Sequence, residues 1–216
     1  MTNRATQLIV MAKAPVPGFA KTRLIPALGA DGAAQLAARL LEHTLHEARA
    51  AQLGAVILAC APDTAHAAFT AQQRQGGVAL VAQGDGDLGA RMQRQFERAL
   101  AQGAERVIVI GTDAPALDAA MLRRAADALA ADDAVFVPAA DGGYALIGLR
   151  RVLPSLFEAM PWSTNAVMAT TRERLSLAAM RHVELPPVHD IDDPADLVHL
   201  PPGWLQGEQR PHAERP

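Results

Sequence analysis

Apolar residues in this chain gather in short unbroken runs, separated by longer stretches in which they recur every third or fourth position. The runs are LIVMA at 8–12, AVILAC at 55–60, VALVA at 78–82, RVIVIG at 106–111 and AVFVPA at 134–139, each bounded by turn-forming residues. Runs of this length without polar alternation predict strands buried on both faces of a sheet. Between them the spacing changes: Leu36, Leu40, Leu41 and Leu45 fall on one side of a 3.6-residue turn, as do Met92, Phe96 and Leu100. These segments predict amphipathic helices packed on the sheet. Strand and helix alternate as far as residue 139, which predicts βαβ units with right-handed crossovers: an α/β fold with a doubly wound, mainly parallel sheet and helices on both faces. One domain is expected over 1–200. The segment PPGWLQGEQRPHAERP at 201–216 loses periodicity and gains proline and charge, and is expected to be a flexible tail.

Ligands of such sheets bind beyond the carboxyl ends of the strands, so chemistry is expected in the segments that follow the runs. The second run is followed by APDTAHAA, which predicts a turn and a helix start capped by Asp63 or Thr64. The others are richer. KAPVPGFAKTRL sets Pro15, Pro17 and Gly18 between Lys13 and the pair Lys21 and Arg23; a stiff turn there delivers compact and forked cations suited to phosphate oxygens. The G-x-x-x-x-G-K-[ST] phosphate loop is absent. In QGDGDLGARM, Gly84, Gly86 and Gly89 permit close backbone approach, and a helix starting near Leu88 after Asp87 turns its amides toward a ligand, so a nucleotide base or ribose is expected there.

Asp113 in GTDAP stands at a strand tip, where Pro115 stops regular strand. A hard cation such as Mg²⁺ takes one or two such carboxylates and completes its shell with phosphate and water; the same residue would also serve as a helix N-cap. In HDIDDPADL an extended backbone points Asp190 and Asp192 to one side and Ile191 to the other, and Asp193 before Pro194 predicts a cap. Asp141 in DGGY is placed either to meet hydroxyls of a second substrate or to form a hairpin turn, with Tyr144 starting a further apolar strand. In PWSTN at 161–165, Ser163 and Thr164 predict caps.

The 216 residues suffice for one sizeable domain, half of them hydrophobic and a fifth charged. A formal net charge of -3 excludes a general basic field for nucleic acid, so bound phosphate must be met by a few local cations. Cys60 is the single cysteine and lies inside an apolar run, which predicts a buried filler and no disulfide. MTNRATQLIVMAK lacks the apolar stretch of a signal peptide and no segment reaches membrane-spanning length; a cytoplasmic protein without membrane partner is expected.

Taken together, AKAPVPGFAKTRL, QGDGDLGARM, GTDAP, DGGYALIGL, PWST and DIDDPADL resemble the small bacterial transferases called DUF2064 or arsenosugar-biosynthesis-type glycosyltransferases, over approximately residues 7 to 198. The resemblance implies the nucleotide-diphospho-sugar transferase fold. It puts Lys21 and Arg23 on the nucleotide phosphates, and Asp113 at the strand-end metal carboxylate. DIDDPADL is similar to the pattern D-I-D-T-P-E-D-L, which gives Asp190 and Asp192 a metal or acceptor role. The implied activity is a transferase that uses Mg²⁺ or Mn²⁺, a nucleotide or nucleotide-sugar donor and a small-molecule acceptor. Two reactions stay open: glycosyl transfer from a nucleoside diphosphate sugar, or nucleotidyl transfer from a triphosphate to a phosphorylated acceptor. A second set of cations at the acceptor would mark the latter, and Arg91, Arg94, Arg150 and Arg151 are the candidates.

Overall fold

The computed structural model of the protein describes residues 6–205. Its strands are β1 (Thr6–Lys13), β2 (Val56–Ala61), β3 (Val78–Ala82), β4 (Arg106–Ile110), β5 (Ala134–Pro138), β6 (Tyr144–Leu149) and β7 (His182–Glu184). Its helices are α1 (Ile25–Ala50), α2 (Ala67–Arg74), α3 (Leu88–Ala101), α4 (Ala119–Ala128) and α5 (Val167–Leu177). The five apolar runs are the first five strands. They join one sheet in the order β3-β2-β1-β4-β6-β5-β7. All neighbours pair in parallel except β6, which is antiparallel to both β4 and β5. The sheet is therefore mainly parallel, with one reversed strand entering through the DGG turn after β5.

Alternation along the strands divides the core between the two faces. Leu8 and Val10 of β1 pack with Leu41 and Leu45 of α1, Phe69 of α2 and Leu122 of α4. Ile9 and Met11 point the other way, toward Met92 and Phe96 of α3 and Met168 and Leu175 of α5. The doubly wound, α/β reading holds. Cys60 is fully buried, and burial pushes its thiol up to about 12, in keeping with a filler.

Some local readings change. The N-cap of α2 is His66, whose Nδ1 accepts from the Ala68 amide; Asp63 closes a turn on Ala65 instead. The two sites are three positions apart, enough for a turn before the helix begins. Asp193 does cap, in a reciprocal box with Asp196. Among the described residues no helix is long and apolar enough to cross a membrane. Residues 206–216 of the expected tail lie outside the described residues. Its first part is held: Trp204 meets His43 edge-on at 5.3 Å, and the Arg39 guanidinium lies 4.7 Å from the indole centroid.

Candidate functional site

The carboxyl ends of β1, β3, β4 and β5 and the start of the reversed β6 share one edge of the sheet. The segments leaving that edge enclose a cavity of about 670 Å³, within the roughly 300–1,000 Å³ typical of small-molecule sites. Lys13, Lys21 and Arg23 reach it from β1 and its loop, and Asp87, Leu88 and Arg91 from the start of α3. Asp113 follows β4, Asp141 and Tyr144 flank the β5–β6 turn, and Trp162, Ser163 and Thr164 precede α5. Asp190 and Asp192 close the far side.

The extended segment after residue 188 explains the last pair. Val188 bridges Ala139 in parallel, and the Ile191 amide donates to the Asp113 carbonyl at 2.8 Å. Ile191 is fully buried beside Leu24 and Leu40, so Asp190 and Asp192 both face the cavity, as alternation requires. Asp113 is freed for the same place because Asp118 caps α4, its Oδ1 accepting from the Met121 amide.

Lys21 ties these segments together. Its Nζ lies 2.5 Å from Asp113 Oδ1 and 2.9 Å from Asp192 Oδ1, and donates to the Ile191 carbonyl at 2.6 Å. Arg23 Nη2 meets Asp192 Oδ2 at 2.6 Å, and its Nη1 stands 3.6 Å from Asp193. Burial pulls the Lys21 ammonium toward neutrality, but the charges of Asp113 and Asp192 and their hydrogen bonds outweigh it and hold its pKa above the ordinary value. The backbone at Lys21 is left-handed, φ 49 and ψ 45, a conformation that costs a lysine about 1 kcal/mol or more and is kept where surrounding contacts demand it. Ser163, on the opposite wall, shares this feature at φ 62.

Asp190 is set apart from its neighbour. Burial, and then the charge of Asp141, push its carboxyl up to about 6. The cleft thus crowds carboxylates until their own repulsion is felt, an arrangement that a bound cation relieves. Two of them, Asp113 and Asp192, already converge on one cation, the Lys21 ammonium. Among the described residues no group of three His, Cys, Asp or Glu is close enough together to hold a metal ion by itself. The donor set therefore fits a hard divalent cation only if phosphate and water complete the shell.

Several expected contacts fall elsewhere. Asp87 Oδ1 accepts from the Ala90 amide and caps α3, so its carboxylate serves the helix, although the residue is on the cavity wall. Gly84 is covered by the Arg94 guanidinium, which donates to the Gln83 and Asp85 carbonyls. Gly89 is a packing position: a Cβ there would stand 2.3 Å from the Phe157 carbonyl oxygen and 3.0 Å from Trp162 Nε1. Gly18 belongs to the first turn, at φ 80. None of these three glycines lines the cavity. Asp141 forms the hairpin turn, its Oδ1 accepting from the Gly143 amide at 2.8 Å, and still faces the cavity. Thr164 Oγ1 accepts from Ala166, but the N-cap of α5 is Ala166 itself. Gln83 carries no sequence signal, yet its buried Nε2 donates to the Ala12 and Ala59 carbonyls and pins the ends of β1 and β2.

Charge is unevenly spread. Among the described residues, every lysine and arginine on the cavity wall comes from positions 13 to 91, whereas the wall from residue 109 onward carries Asp113, Asp141, Asp190 and Asp192 and no cation. Arg150 and Arg151 follow the end of β6 remote from Tyr144 and are exposed.

Comparison with known proteins agrees with this architecture. The sequence profile of the family described as "Uncharacterized protein conserved in bacteria (DUF2064)" matches residues 44–164. The chain belongs to the DUF2064 family. A protein from Desulfovibrio desulfuricans G20, described as a "putative nucleotide-diphospho-sugar transferase", is 30% identical over 91% of this DUF2064 chain and 85% of its own, with a TM-score of 0.82. A nucleotidyl transferase from Methanothermobacter thermautotrophicus shares 17% identity over 90% and 95% of the two chains at a TM-score of 0.62. A CMP:2-keto-3-deoxy-manno-octonic acid synthetase complexed with CTP shares 13% over 90% and 95% at 0.57. At these identities the last two show the fold, which is that of nucleotide-diphospho-sugar transferases. No curated protein matches the DUF2064 chain significantly.

Proposed function

We propose that the protein is a metal-dependent glycosyltransferase that uses a nucleoside diphosphate sugar. The observation that carries this reading is the division of charge across the cavity. A diphosphate needs cations, and the wall from 13 to 91 holds Lys13, Lys21, Arg23 and Arg91. A phosphorylated acceptor, as nucleotidyl transfer requires, would also need cations, and among the described residues the charged side chains on the wall beyond residue 109 are all carboxylates. Arg94 is engaged with backbone carbonyls, and Arg91 donates to the Gly86 carbonyl on the donor side. The likeness to the Desulfovibrio protein and its description support the same donor class.

In this reading Lys21 and Arg23 bind the diphosphate and stabilise the negative charge that grows on it as the glycosyl bond breaks. Asp113 and Asp192 would hold a Mg²⁺ or Mn²⁺ ion, which supplies further charge stabilisation at the diphosphate. Asp190 and Asp141 orient a hydroxyl of the acceptor, so that attack at the sugar carbon becomes effectively unimolecular. Lys13 extends the cationic edge, and the loop before Leu88 receives the nucleoside.

Isothermal calorimetry against nucleoside triphosphates, diphosphates and diphosphate sugars, each with Mn²⁺, Mg²⁺ or chelator, tests the reading. Metal-dependent binding of one diphosphate sugar above its parent diphosphate is expected. Selective binding of a triphosphate would transfer the assignment to nucleotidyl transfer.

A further inference from the structure

Asp192 is placed from inside the protein as well as from the cavity. Ile191, its neighbour, is fully buried in a small apolar cluster with Leu24, Leu36 and Leu40, apart from the two cores on the faces of the sheet. Because successive side chains of an extended backbone point opposite ways, whatever fixes Ile191 also fixes the direction of Asp192. The C-terminal segment completes that cluster: Leu197, Leu200 and Trp204 pack against it, and each is partly buried. The same segment reaches Asp192 directly, since Asp196 Oδ2 accepts from the Asp192 and Asp193 amides at 3.0 and 2.7 Å.

Trp204 is the far anchor of this segment, and α1 provides its seat. Arg39 Nη1 donates to the Trp204 carbonyl at 2.8 Å, and the same guanidinium lies over the indole in a cation–π contact. One helical turn further along, the His43 ring meets the indole edge-on, and its Nε2 hydrogen-bonds the Pro115 carbonyl at 2.9 Å. Pro115 lies in the stretch between β4 and α4 that carries Asp113. Arg39 and His43 thus brace both carboxylates assigned to the cation: Asp192 through Trp204 and the Ile191 cluster, Asp113 through the Pro115 carbonyl. Trp204 itself is not on the cavity wall, so it touches neither nucleotide nor metal ion.

Groups that hold metal-binding side chains in place govern how well the ion is bound, and losing one typically costs about 10–100-fold in metal affinity. We infer that Trp204, seated on Arg39 and His43, is a positioning residue that sets Asp192 opposite Asp113 for a divalent cation. This rests on the metal assignment above.

Calorimetry on the full chain reads the effect as a ratio. The tightest of UDP, GDP, CDP and ADP is titrated in Mn²⁺ and in chelator, well below the Tm of every variant, and the two affinities are divided. Trp204→Ala is expected to lower that ratio about tenfold, and Trp204→Phe, which keeps a ring on the guanidinium, to restore it to within about threefold. Arg39 is exposed, so its loss opens no core; Arg39→Gln is expected to lower the ratio about threefold. Val78→Ala trims a core outside the cluster, and is expected to lower the Tm and leave the ratio unchanged, which separates positioning from loss of stability.

A ratio unchanged in both Trp204→Ala and Arg39→Gln overturns the inference, even where the two affinities fall together. So does a Val78→Ala variant whose ratio falls as far as that of Trp204→Ala. If the natural chain binds nucleotide no better with Mn²⁺ than in chelator, the metal assignment fails and takes the inference with it, whereas metal dependence that survives both substitutions overturns the inference alone.

Discussion

The wall built from residues 11–92 and the wall built from residues 109–192 use the same scaffold, strand ends of one sheet, and carry opposite charge. Without ligand they neutralise each other: Lys21 and Arg23 of the first wall are paired with Asp113 and Asp192 of the second. A diphosphate and a divalent cation would each have to displace one side of those pairs. Bound together they exchange partners, phosphate taking the ammonium and guanidinium while the metal ion takes the carboxylates. The difference between the walls thus predicts that nucleotide and metal bind cooperatively, and it separates residues that act on the donor from those that act on the acceptor.

The largest expected effect comes from Lys21, the residue whose Nζ joins the two walls. Lys21→Met removes a donor aimed at the departing diphosphate and leaves Asp113 and Asp192 facing each other. The transfer rate is expected to fall about 10²–10³-fold, the usual loss when one such donor is removed, with weaker nucleotide binding by calorimetry. A rate within a few-fold of the natural chain would show that the first wall does not handle the phosphates.

Asp113→Asn separates metal from ammonium. In Mn²⁺ or Mg²⁺ the variant is expected to bind nucleotide roughly 5–150-fold more weakly, the span of an ordinary coupling energy. In chelator its affinity should be equal to or better than that of the natural chain, because Lys21 loses a competing partner. An equal loss in both media would dismiss the metal role of Asp113.

What the sequence made legible follows from how local each signal is. The five buried strands could be read because each is a short apolar run, and Asp190 and Asp192 could be placed on one side because strand alternation is a property of the local backbone. The reversal of β6 was harder: DGG predicts a turn, but insertion between β4 and β5 depends on which strand edges are free. Gly84 and Gly89 look like ligand glycines in QGDGDLG, yet what fills the space beside them, Arg94 and Trp162, comes from 10 and 73 positions further along the chain. Asp113 had two local readings, and only the position of Asp118 as the true cap of α4 decides between them. The seat that Arg39 and His43 make for Trp204 has no sequence signature at all, since it joins α1 to a segment that reads as a tail.

A smaller effect sharpens the character of the acidic wall. The Asp190 carboxyl is raised from 3.8 to about 6, so between those values the folded state binds more protons than the unfolded one and stability falls as pH rises. Asp190→Asn removes that term. At pH 7 the variant is expected to be more stable by about 1 kcal/mol, allowing for solvent screening of a half-buried group, and at pH 3 by almost nothing. Urea unfolding at both pH values measures it. A variant equally stable at pH 7, or more stable by the same amount at both, would mean that burial of Asp190 and its crowding by Asp141 do not strain this wall.

The smallest effect belongs to an ion pair away from the cleft. Arg172 of α5 holds Glu184 of β7 through two contacts of 2.7 Å, and this bonding keeps the Glu184 carboxyl below its ordinary value. Its contribution is therefore present above the unfolded pKa and is lost as pH falls through the folded one. Both groups are partly exposed, so Glu184→Gln is expected to cost about 0.5 kcal/mol at pH 7 and to become neutral in acid. Nucleotide affinity should not change, because neither residue lines the cavity. The sign is opposite to that of Asp190→Asn at the same pH: a carboxylate with its own cation stabilises the ligand-free protein, whereas a carboxylate crowded by others and lacking one destabilises it. If both substitutions moved stability in the same direction at pH 7, the contrast between a paired surface carboxylate and a half-buried, unpaired one would lose its physical basis.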